Sequence, residues 1–170
     1  DITMADGAVM QTEDGNILLS APDSIALSQL NADSNNDLPL GSSDITLIAT
    51  AGGITDNTAG EGVNIIGDAL AADSATGFGT GATGAGDIET TLVTADVDVT
   101  GAGSIFVNET DGLLIPNMTT ANGPITVLAG GALTLTSLVS TSDADGNDIS
   151  IFTTTGDITL SLVNAQGTAA

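Results

Sequence analysis

The sequence contains no lysine, arginine or histidine, and against that blank stand 22 acidic side chains, for a formal net charge of −22. With no cationic side chain the protein cannot neutralise phosphates, which excludes nucleic-acid binding and polybasic docking on anionic membranes. The same gap, together with the absence of cysteine and tyrosine, removes the bases that work near neutral pH, the thiolate, the Schiff base and the Ser-His pair. Catalysis would be left to carboxylates, hydroxyls or a metal, and the expectation is that the protein is not an enzyme. Without cysteine there are no disulfides, so stability must come from packing and repetition. Tryptophan is also absent and aromatics make up only 2%; a core must be built from Ile, Leu, Val and Ala. No apolar run approaches the roughly 18 residues of a membrane-spanning helix, and no basic leader precedes one. No membrane insertion is expected, and the chain reads as a mature product or a fragment.

What is present argues for folding. Hydrophobic residues make up 41% and mean hydropathy is +0.33, outside the low-hydrophobicity signature of disorder. Helix signals are poor, because Gly, Ser and Thr are abundant and apolar residues recur at spacing two within short β-branched runs. Strands are expected over 17–21, 25–30, 45–49, 63–66, 88–93, 97–100, 105–108, 125–128, 133–138, 149–153 and 158–163, each bounded by Gly, Asp, Asn or Ser. Strand starts fall mostly seven to nine residues apart, as in Val9, Ile17 and Ile25 or Ile88, Val97 and Ile105, which makes an imperfect internal repeat. The polar stretches near 31–44 and 73–86 interrupt it and read as loop insertions.

Laid over one another, "SDITLIATAGGIT" at 43, "GPITVLAGGALTL" at 123 and "NDISIFTTTGDITLSL" at 147 repeat one phrase: a Gly/Asn/Asp turn delivering an Ile-x-Leu/Val strand. Such a phrase suits a right-handed parallel β-helix, an all-β solenoid in which equivalent aliphatic residues stack between successive coils. The alternative is an antiparallel β-sandwich with regular hairpins. At about 20 to 28 residues per coil, residues 1–170 would form a single module of roughly six to eight coils.

"GDITL" at 156, with the phrases at 43 and 123, resembles the Gly-Asp-Ile-x-Leu repeats of large secreted bacterial β-helix adhesins, those like filamentous haemagglutinin and the autotransporters. That resemblance implies a stalk or filament segment of a secreted, extracellular or cell-surface protein, joined head to tail to identical or similar repeat modules. It brings no catalytic residues. The total lack of basic residues departs from typical members and points to an unusual lineage or a saline or calcium-rich setting.

Two acidic clusters are candidate metal sites. Asp143, Asp145, Asn147 and Asp148 surround Gly146, and oxygen ligands at alternating positions of a Gly-containing turn suit a hard cation such as calcium. Asp33, Asn35 and Asp37 have similar composition without the Gly. The competing reading of both is a solvated Asx turn. Calcium there would support a second function, a calcium-dependent carbohydrate- or surface-binding module with surface glycans among its partners. Asp96 and Asp98, on one face of a strand about 6 to 7 Å apart, are near glycosidase spacing, but no Trp or Tyr offers a sugar platform; they read as a polar outer face with Val97 and Val99 inward. The Gly-rich stretch from Gly77 lacks the lysine of a phosphate loop.

Overall fold

β-branched residues at alternate positions, with Gly and Asx at the breaks, build strands that never turn back on themselves. The computed structural model describes residues 1–35, 43–81, 84, 86–142 and 146–165, and among these there are strands but no helices. The chain makes repeated passes. The first runs through β1 (Ile2–Thr3), β2 (Val9–Gln11) and β3 (Ile17–Ala21), and the second through β4 (Ile25–Leu27), β5 (Gln29–Asn31) and β6 (Ile45–Ala49). The third uses β7 (Ile54–Asp56) and β8 (Ile65–Ser74), and the fourth Phe78 and β9 (Ile88–Ala102). β10 (Ile105–Glu109) with β11 (Leu113–Asn122), β12 (Ile125–Ala129) with β13 (Leu133–Ser140), and β14 (Ile149–Thr153) with β15 (Ile158–Ala165) form the last three.

Every pairing between described strands is parallel and joins a strand to its counterpart in a neighbouring pass. Parallel neighbours need long connections rather than tight hairpins, so the antiparallel sandwich does not fit. Register is kept along the inward columns, with irregularities in the β9–β11 pairing between Leu114 and Asn117 and between Thr120 and Asn122. Ile2, Ile25, Ile54, Phe78, Ile105, Ile125 and Ile149 form one column, with steps by subtraction of 23, 29, 24, 27, 20 and 24 residues. A second column runs Leu19, Leu47, Ala72, Val97, Met118, Leu138 and Val163. Because the side-chain period is two, this register sends the same face of every strand inward. The core is correspondingly aliphatic, with fully buried Ile, Leu and Val from the second pass to the sixth and Phe78 among its largest members.

The structure redraws several expected boundaries. The runs 88–93 and 97–100 are one strand, β9, and 63–66 starts later and continues as β8 through the polar-looking "GDALAADS". The run 25–30 is split at Ser28 into β4 and β5. Asp73 and Ser74 belong to β8 and Phe78 lies in the core, so the second insertion begins only after Phe78. In the first insertion Asn31 is in β5 and Ala32, Asp33 and Ser43 are buried, while 36–42 lie outside the described residues.

Candidate functional site

A further set in register, Leu30, Ile65, Thr90, Glu109 and Ala129, shares a single strand with the Ile2–Ile149 column from the fifth pass onward, as in Ile105–Glu109. In the third and fourth passes they are separated by insertions, residues 57–64 and 79–87, at the same place in successive passes. Among the described residues the two insertions approach each other at Gly84, where an added Cβ would lie 3.8 Å from Glu61 Oε1. Near this approach Glu61, Asp87 and Glu89 converge, each offering a carboxylate oxygen within 4.8 Å of the others.

Asn64 organises this cluster. Its backbone N–H donates to the Glu89 carbonyl (2.9 Å) and its side-chain oxygen accepts from the Glu89 N–H (3.0 Å), a reciprocal clamp between insertion and strand. The Asn64 amide also donates to Ser28 O (3.0 Å) and to Asp56 Oδ1 (2.7 Å). Asp56 Oδ1 takes further hydrogen bonds from the Thr58 N–H and hydroxyl, both at 2.8 Å, an Asx turn that shapes the loop leading to Glu61. Asp56 is thus satisfied. Asp87 and Glu89 are not: they are 1% and 5% exposed, and neither oxygen of either has a hydrogen-bond partner among the described residues. Glu61 is exposed and closes the cluster from the solvent side.

Such an arrangement disfavours charge. Burial raises Glu89 to about 7; its own backbone N–H pulls it partly back, and the negative charges of Asp87, Asp56 and Glu61 push it up again. Asp87 is raised for the same primary reason, burial, and further by Asp56; its own N–H and the Asn108 amide, near but outside hydrogen-bond geometry, oppose the shift. Beside the cluster an open pocket of about 450 Å3 is lined by Asp6, Val9, Gln29, Thr58, Glu61 and Val63, among others.

The clusters named from the sequence are not brought together in this way. Asp143 and Asp145 lie outside the described residues, while Asn147 uses its amide to donate to Ser142 O (2.8 Å) and Asp148 is exposed. Asp37 also lies outside them; Asp33 is buried with its N–H bonded to Asn31 Oδ1, and exposed Asn35 donates to Asp14 Oδ1. Asp96 and Asp98 are a half-buried outer pair bridged by the Asn117 amide (3.0 and 2.9 Å), with Thr119 donating to Asp98, and Val97 and Val99 point inward. This is hydrogen bonding between passes, not a cleft acid and base.

Glu61, Asp87 and Glu89 escape a sequence reading because they are scattered through turn-like phrases and only the register of neighbouring passes unites them. One signal was available: "GDIET" places an acidic residue inside a strand phrase at 89.

The opposite feature of the molecule is apolar. Ile158, Leu160 and Val163 in β15 stand in register with the fully buried Leu133, Leu135 and Leu138. Yet they are 39%, 51% and 39% exposed, because no described residue packs over the last pass. No helix of the described residues is long and apolar enough to cross a membrane. Compared with protein-family models, curated proteins and solved structures, the chain matches none.

Proposed function

We propose that the protein is a right-handed β-solenoid serving as a structural, adhesive module of a secreted or cell-surface fibre, joined head to tail to identical or similar modules. One observation carries this reading: the inward columns run in register to the last pass and end on an exposed aliphatic row at Ile158, Leu160 and Val163. A further parallel pass with the same side-chain period would continue the hydrogen-bond ladders and cover that row. A fully buried Leu or Ile gains about 1.5–3 kcal/mol over an exposed one, so the contact has a physical drive. The last pass of one module meeting the first pass of the next is a heterologous contact that does not close, the geometry of a filament. Acidic turns, with no basic residue to pair with, keep the sides of such a fibre hydrated and apart.

Light scattering over a concentration series tests the idea. The wild type is expected to grow in mass with concentration, and Leu160→Asp, which places a charge on the exposed row, to remain monomeric with an unchanged circular-dichroism spectrum. Wild-type protein that stays a monodisperse monomer at millimolar concentration and high salt would sink the head-to-tail reading.

A further inference from the structure

Three carboxylates drawn within 4.8 Å of one another, in a chain with no side-chain cation, lack any internal counter-charge. An acidic cluster alone means little, since exposed acidic groups gather on many surfaces. Here two of the three members are shut from water, and both oxygens of Glu89 lack a hydrogen-bond donor among the described residues. An ionised buried carboxylate with no partner costs several kcal/mol. The Asn64 amide donates to Ser28 O and Asp56, and its side-chain oxygen accepts from the Glu89 N–H, so Asn64 fixes the Glu89 backbone while the carboxylate is grouped with those of Glu61 and Asp87.

From this we propose that Glu61, Asp87 and Glu89 form a binding site for one divalent, oxygen-preferring cation, with calcium the best match. The donor set consists only of hard oxygens, without nitrogen or sulfur, which suits Ca2+ or Mg2+ rather than zinc or copper. Three carboxylates supply up to six oxygens when each binds through both, and Glu61 faces solvent, where water completes the shell. Calcium takes 6–8 oxygens in flexible geometry, whereas magnesium demands a near-ideal octahedron and keeps most of its water. Glu61 comes from the 57–64 insertion of the third pass, and Asp87 and Glu89 from the end of the next insertion and the strand it enters. A cation held by all three would pin two neighbouring passes together where their columns are interrupted. The cluster lies on the outer face, away from the β15 row, so this site stands or falls independently of head-to-tail assembly.

The test is calorimetric titration of the whole chain with CaCl2 in excess NaCl, which screens diffuse binding to the other carboxylates, paired with thermal melting. One-to-one binding is expected, together with a rise in melting midpoint on adding calcium. Glu61→Gln, at an exposed position that leaves the core untouched, should weaken the one-to-one component at least tenfold. Glu89→Gln should abolish it and reduce the calcium-dependent rise in midpoint. Asp73→Asn, outside the cluster, should preserve both. Absence of a saturable one-to-one component in the wild type overturns the proposal, as does its survival undiminished in Glu61→Gln. If Glu89→Gln does not fold, Glu61→Gln decides alone.

Discussion

Glu109 occupies an inward position whose register neighbours are Thr90 and Ala129, so a titratable group sits in the interior column. It is fully satisfied: the Thr90 hydroxyl donates at 2.7 Å, and the Leu92 and Asp111 N–H groups donate at 3.2 and 3.3 Å. Burial nevertheless pushes its pKa up to about 7, against those hydrogen bonds. The folded state therefore holds the proton more tightly than the unfolded chain, whose value is 4.5. Its stabilising contribution is complete below about pH 4.5 and is lost as pH rises toward 7, by about 1.4 kcal/mol for each pH step between the two values. Urea unfolding across that range should show stability falling with pH. Glu109→Gln should make the fall shallower by about one proton, with Asp87 and Glu89 retaining the rest; an unchanged slope would show that Glu109 is ionised throughout. Little of this residue's role was legible beforehand, since Glu109 falls just past the expected strand 105–108.

At the scale of the strand and its corner, legibility was high where the repeat is regular. β3, β6, β10, β12 and β14 match their expected runs to within a residue, because alternating β-branched residues bounded by Gly or Asx specify both the element and its face. It was low where small residues fill a strand: "GDALAADS" is extended only because β6 and β9 pair on either side of it. Corners also depend on neighbours. An added Cβ at Gly123 would lie 2.1 Å from Gly103 O, and one at Gly103 would lie 2.1 Å from Thr76 O, so bare backbone allows successive corners to stack. The two carbonyls are then held by hydroxyls, Thr120 donating to Gly103 O at 2.6 Å and Ser140 to Gly123 O at 3.0 Å. Gly123→Ala should destabilise by about 1–3 kcal/mol in chemical denaturation through forced backbone movement. Gly60→Ala, with open space around its Cβ, should stay within about 0.5 kcal/mol. Equal effects at the two sites would remove close approach as the explanation.

For the whole molecule the governing quantity is charge: 22 carboxylates repel one another with no positive side chain to offset them. Melting midpoints should therefore rise with NaCl, by about 2–4 °C for each kcal/mol of repulsion screened. A midpoint indifferent to salt would mean that the carboxylates are too far apart, or already too neutral, to matter. The all-β character, the aliphatic core and the recurring turn-strand phrase were determined by composition and period alone, because small β-branched residues at spacing two have few other ways to hide from water. Three things were decided only by tertiary structure. Phe78 joined the column between Ile54 and Ile105 despite its Gly-rich surroundings, since a position beneath a neighbouring pass is apolar whatever flanks it in sequence. Parallel pairing, which the recurring phrase already favoured over hairpins, became definite only through which distant strands meet. The meeting of Glu61 with the buried Asp87 and Glu89 arose because consecutive passes lie side by side, a juxtaposition created by register rather than by spacing along the chain.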